Sequence, residues 1–229
     1  MAKPKRTSVP ITDGRRLRRH RTEEKLVAAL GTVLRREGVA GLGINAIAAE
    51  AEVEKVLIYR YFGGLEGLME AYGARSDFWP SLEELVGKGG EVLRDPDKPR
   101  AGARVLLNYA RALRKRPLTL DLLAWECTHR NPLTVALEKV REAQSDELAR
   151  LLVEGGVITS EGEGQVGTLF AAAINYLAVR GRELKVFGGL PIAKDADWER
   201  LGELIESVLR GLRAQRDGSG LAATSSTSR

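Results

Sequence analysis

The sequence predicts an all-α protein: an N-terminal three-helix helix-turn-helix domain, then a larger helical domain. Three observations predict it. The chain is rich in Leu, Ala, Glu and Arg and has only 5% aromatic residues; such side chains lose little freedom in a helix. Apolar residues recur at helical spacing along most of the 229 residues, and no stretch sustains two-residue alternation. Between residues 44 and 62, two short helical segments are separated by a turn of only a few residues and follow a longer helical segment.

Taken in order, the chain opens on charge. Lys3, Lys5, Arg6, Arg15, Arg16, Arg18, Arg19 and Arg21 stand against Asp13 alone, so residues 1–21 carry +7 while the whole chain carries +5. The remainder is close to neutral. Residues 1–20 are expected to form a flexible basic arm. Such arms accompany nucleic-acid binding, although a solubilising tail or a membrane-surface anchor has the same composition.

Thr22 is placed to cap a helix running to about Glu37, with Leu26, Leu30, Val33 and Leu34 on one stripe and Gly38 as its stop. After a loop at 39–43, short helices are expected over about Ile44–Ala51 and Glu54–Phe62, with the turn at Glu52-Val53. Gly63-Gly64 then precedes a longer helix from near Leu65. These elements make residues 21–68 one domain.

Residues 69–214 read as a second, helical domain. Its Gly/Pro/charge-rich stretch at 87–100 looks like a connection. Helices follow at about 101–115 and from Pro117 to about His129. Asn131-Pro132 is a strong helix start, a capping side chain followed by Pro in the first turn. The segment 163–183 is apolar over much of its girth and is expected to be buried on most sides. A sustained apolar stripe (Trp198, Leu201, Leu204, Ile205, Val208, Leu209, Leu212) marks a last helix over about 197–214. Residues 215–229, rich in Gly, Ser and Thr, are expected to be disordered.

Several classes of function are excluded on composition. No apolar run is long enough to span a bilayer, and the basic N-terminus lacks the apolar core of a secretory signal. Cys127 is the single cysteine, which rules out an internal disulfide framework and fits the reducing cytoplasm. With Cys127, His20 and His129 as the only soft ligands, no structural metal site is expected. Cys127 and His129, two apart, do not share a helix face as a nucleophile and its base should. No phosphate-binding glycine loop is present. No catalytic residue and no cofactor is assigned, and the chain is read as a non-enzyme.

The segment INAIAAEAEVEKVLIYRYF, residues 44–62, has the logic of a groove-reading device. Ile47, Ala48, Val53, Ile58 and Phe62 can pack on the preceding helix and hold the second short helix at a fixed angle. That leaves Lys55, Val56, Leu57, Tyr59 and Arg60 facing outward, toward a major groove wide enough for a helix.

The run from Val53 to Phe62, followed by Gly63-Gly64-Leu65-Glu66-Gly67-Leu68, resembles the TetR family of regulators, with its "LYxYF" signature and a following helix start. The resemblance covers roughly residues 22–70. It implies DNA contacts at Asn45, base reading by Lys55, Val56 and Leu57, a phosphate contact at Tyr59, and neighbouring contacts at Arg60 and Tyr61; the charge of the arm, with Arg15, Arg16, Arg18, Arg19 and Arg21, adds phosphate affinity. By chemistry, Lys55 suits guanine O6/N7 and Val56 or Leu57 a thymine methyl. The resemblance also implies a homodimer through the last two helices, a palindromic double-stranded DNA operator, repression as the usual mode, and a small apolar effector. Trp79, Tyr109, Trp125, Phe170, Asn175 and Tyr176 are the candidate pocket residues. Three positions depart from the family pattern. Glu52 stands where Gly is common, Leu65 replaces a phosphate-contacting Lys, and Val56-Leu57 replace small polar residues. A recognition helix so poor in hydrogen-bond donors leaves open an alternative: a sensor or scaffold on the same fold that has lost specific readout.

Overall fold

The structure is a computed structural model; it describes the backbone of residues 11–75 and 78–225 and the side chains of 14–75 and 78–218. Lys3, Lys5 and Arg6 lie outside the described residues. The chain divides into two compact units, Met1–Ala74 with Asn131–Leu137, and Arg75–Arg130 with Glu138–Arg229.

The first unit contains α1 (Ile11–Glu37), α2 (Ile44–Glu50), α3 (Val56–Phe62) and α4 (Leu65–Gly73). The stripe read from the sequence forms its core: Leu26, Leu30 and Val33 of α1 are fully buried with Ile47, Ile58, Leu68 and Met69. Val53 and Phe62 are half-buried. Arg36 of α1 donates to Glu50 of α2 at 2.6 Å, fastening the rim of this packing. Gly67 is required where α4 starts, because a Cβ there would lie 1.9 Å from the Phe62 carbonyl oxygen.

The helix start expected at Thr22 is not observed. α1 begins at Ile11, so residues 11–20, expected as flexible arm, are helical. Thr22 Oγ1 donates to the Arg18 carbonyl at 3.0 Å instead of capping a terminus, and Arg19 pairs with Glu23 one turn on at 2.7 Å. Once 26–34 are packed, each added residue extends the helix without a new nucleation cost.

The second unit contains α5 (Leu82–Val86), a 3₁₀ turn (Lys88–Arg94), α6 (Lys98–Arg114), α7 (Pro117–Glu126), most of α8 (Pro132–Glu154), α9 (Glu161–Arg180) and α10 (Asp195–Ser225). The start of α8 belongs to the first unit, and Asn131 caps it as expected, its Oδ1 accepting from Leu133 N at 2.9 Å and Thr134 N at 3.2 Å. α6 is the centre of the second unit: α5, α9 and α10 all pack on it. Leu85, Val86, Val92, Ala101, Val105 and Val157 form a buried cluster there. The stretch 87–100, read as a plain connection, carries the 3₁₀ turn and the first residues of α6.

Three further expectations are corrected here. α10 does not stop at Ala214 but runs to Ser225. Its continuing turn is held by Arg213 on Glu163 at 2.9 Å and by Arg216 on Thr159 and Glu163. A two-stranded hairpin, β1 (Val186–Phe187) and β2 (Leu190–Pro191), occupies what read as a bare connection. Gly188 and Gly189 both have positive φ, 55° and 85°, the backbone a two-residue hairpin turn demands. Finally, α9 is not buried on most sides within the chain. Leu169 is 68% exposed and Tyr176 51%, and Ala172 and Ala173 are exposed between them.

Candidate functional site

The first unit presents the interface. α2 is closed by Ala51 at its C-cap, and the backbone reverses through Glu52 at φ 54°, the one described non-glycine residue with positive φ. Val53 N then bonds to the Ala48 carbonyl at 3.0 Å, closing a turn so tight that α3 can begin at Val56. Lys55 stands at its N-cap, and Gly63 ends it in the left-handed region. Ile58 is the anchor, fully buried. Everything on the opposite side of α3 is outward: Lys55 and Arg60 are exposed, Val56 is 54% and Tyr59 55% exposed, and Leu57 is half-buried. An exposed valine and tyrosine on adjacent turns of a seven-residue helix form an apolar contact edge flanked by two cations. Asn45 is exposed on α2.

Tyr61 is placed differently from its neighbours. It is half-buried, and the Arg19 guanidinium lies over its ring, 5.2 Å from Cζ to centroid, a cation–π arrangement. Arg19 is thus engaged within the unit, on Tyr61 and on Glu23. Arg18 Nε donates to the Gly14 carbonyl at 3.2 Å. Arg15, Arg16 and Arg21 are exposed on the same helical extension, which presents them around a rod rather than on a loose strand.

The second unit holds a cavity of about 520 Å³, lined by side chains of α5, α6, α8, α9 and α10 and by Trp79-Pro80. Leu82, Leu85, Val105, Leu106, Leu148 and Leu152 supply apolar wall. Of the six residues expected to line a pocket, Trp79, Tyr109 and Asn175 do so. Tyr109 Oη donates to Asn175 Oδ1 at 2.6 Å, and burial pushes its hydroxyl up to about 12, so it stays protonated. The other three do not line the cavity. Trp125 stacks on His129 with centroids 5.1 Å apart. Phe170 is half-buried elsewhere on α9. Tyr176 is exposed and meets Phe187 of the hairpin edge-on at 5.3 Å. Helical spacing places these aromatics on the right helices but on the wrong faces.

Sequence reasoning missed Arg141, which lines the cavity from α8, and Gly102, Gly164 and Gly167. Glycines inside helical patterns were the available signal, since a helix interior tolerates Gly only at a loss of stability.

Comparison with known proteins finds likeness to the same segment. The family model described as bacterial regulatory proteins, tetR family, matches residues 26–72. Over that segment the chain is similar to the TetR family. The helix-turn-helix, α2 and α3, lies wholly inside the matched segment. A TetR-like transcriptional regulator from Rhodococcus sp. RHA1 is 21% identical over 84% of this chain and 96% of its own, with a TM-score of 0.51; it shares the all-helical fold. PfmR, a TetR family transcriptional regulator from Thermus thermophilus, is 17% identical over 80% of this chain and 96% of its own, with a TM-score of 0.46. No curated protein sequence matches the chain. Among the described residues no helix is long and apolar enough to cross a membrane, and no cluster of His, Cys, Asp and Glu is arranged to hold a metal ion.

Proposed function

We propose that this protein is a sequence-specific cytoplasmic repressor of the TetR family. It binds a palindromic operator as a homodimer and is released by a small, mostly apolar molecule in the cavity of the second unit. The observation that carries the reading is the outward face of α3. Val56 and Tyr59 are more than half exposed beside Lys55 and Arg60, although nothing in a soluble core requires such residues to face water. A thymine methyl and a phosphate are the natural partners of that set.

The exposed stripe of α9 and α10 supports the dimer. Leu169 and Tyr176 on α9, with Leu204 and Val208 on α10, form an apolar face uncovered within one chain. Small residues between them, Ala172, Ala173 and Gly211, allow close helix approach. A two-fold pairing through this face yields two heads and a two-fold operator. The cavity, within the size range of small-molecule sites, supports the effector. Binding there lowers DNA affinity only if the molecule prefers the DNA-free arrangement of the heads, and the coupling is then reciprocal.

Selection from a random duplex DNA pool at moderate salt tests the central claim. An enriched two-fold motif is expected. Retention without any motif, abolished by raising the salt, would show phosphate binding without readout and overturn it in favour of a sensor or scaffold.

A further inference from the structure

The cavity has a polar end with a buried donor that lacks an acceptor. Trp79 is buried, lines the cavity, and its indole Nε1–H has no hydrogen-bond partner among the described residues. Tyr109 donates to Asn175 Oδ1, which occupies the acceptor side of that amide and leaves the Asn175 Nδ2 group as the donor side. Arg141 lies over the Trp79 ring, 5.6 Å from Cζ to centroid. A buried donor without an acceptor is unfavourable, so this end of the cavity calls for an oxygen.

Charge decides which oxygen. The two arginines that line the cavity are paired with carboxylates, and its lysine, eleven residues before Tyr109 on α6, is hydrogen-bonded to a carbonyl. Arg141 donates to Glu126 at 2.5 Å, Lys98 to the Leu93 carbonyl at 2.8 Å, and Arg213 to Glu163 at 2.9 Å. Glu142 and Asp146 also line it, and the second carboxylate oxygen of Glu126 is buried without a partner. A carboxylate entering at the Trp79 end would lose its hydration, find Arg141 already paired with Glu126, and meet carboxylates already lining the cavity.

We propose that the cavity selects an uncharged, mostly apolar molecule bearing one carbonyl oxygen, a ketone or an ester, which accepts from Trp79 Nε1–H and Asn175 Nδ2–H. It rejects the carboxylate of the same chain length. This inference rests on the effector reading only in taking the same cavity as the binding site.

Methyl decanoate and decanoate at pH 8 are the probes, titrated into the full-length protein while the three tryptophan indole N–H resonances are followed by NMR. The ester is expected to move the Trp79 resonance saturably and to bind about tenfold more tightly than decanoate. Trp79→Phe keeps the ring and removes the donor; it is expected to weaken the ester about fivefold and leave decanoate unchanged. Gly167→Phe places a ring where a Cβ meets nothing within 4 Å, and is expected to abolish binding while the far-UV spectrum and melting transition persist. Equal affinity for the two probes, an ester indifferent to Trp79→Phe, or no binding of either probe overturns the inference. DNA release is scored separately by fluorescence anisotropy. An ester that binds with the stated preference yet leaves DNA bound upholds the ligand class and removes effector control. Release by both probes without preference does the reverse.

Discussion

Replacing Glu52 by glycine should stabilise the DNA-binding unit. At φ 54° Glu52 is held in the left-handed region between α2 and α3, where a Cβ crowds the following carbonyl and a non-glycine residue is disfavoured by about 1–2 kcal/mol. Glycine removes that strain but loses more backbone freedom on folding, worth roughly 0.5–1 kcal/mol in the opposite sense. The Glu52 side chain is exposed, so little contact energy is forfeited. The balance is a gain of about 0.5–1 kcal/mol, equivalent to a two- to fivefold rise in amide protection. The readout has to be local, because Trp79, Trp125 and Trp198 all lie in the second unit and tryptophan fluorescence is blind to the first. Hydrogen exchange at Leu26, Ile47 and Ile58, the core of the head, supplies it. Glu52→Ala is the control: it removes the charge and keeps the Cβ, so no gain is expected. If alanine protects those amides as well as glycine does, the effect is electrostatic and the backbone argument fails. If glycine lowers protection, the chain entropy outweighs the strain.

Other expectations concern the arm, the apolar face and acid stability. Changing Arg15, Arg16 and Arg21 to Gln should weaken binding to all duplexes alike and flatten the salt dependence of log K by about two to three in slope, near 0.9 for each phosphate no longer neutralised; an unchanged slope places these residues off the DNA. Leu169→Glu with Leu204→Glu puts charge into the proposed dimer face and should yield a monomer by sedimentation, with loss of operator binding; a persisting dimer locates the interface elsewhere. Glu163 is pushed up by burial but pulled further down by Arg213 and by the Thr159 backbone N–H, to about 2. A folded-state value below the ordinary one means stability is fully present above about pH 4.5 and is lost as pH falls toward 2, on the order of 2 kcal/mol. Asp95, lowered to about 2 by Arg100 and the Asp97 N–H, titrates in the same window. Urea unfolding followed by tryptophan fluorescence at pH 5, 4 and 3 should show the decline, and Glu163→Gln should make it shallower. An acid profile unaltered by Glu163→Gln removes this pair from the account.

The helix-turn-helix was legible in the residues because its information is local. Ile47 and Ile58 lie at the spacing that buries one face of each short helix, Gly63-Gly64 supplies the left-handed stop, and the turn is too short to leave α3 any other angle. Glu52 stood out only against the Gly common there in the resembled family, and its left-handed backbone is a finding of the structure. The extent of α1 was not, since nothing in residues 11–21 marks a start; the packing of 26–34 makes their helical state cheap to extend. The cavity depended wholly on tertiary structure. Periodicity tells which side chains share a helix face, so Trp79, Tyr109 and Asn175 could be named together with Trp125, Phe170 and Tyr176. Which of those faces turn toward one another is set by how the helices of the second unit pack around α6, and that arrangement gathers Arg141 and an unpartnered Trp79 N–H around one space while leaving Leu169 and Tyr176 uncovered.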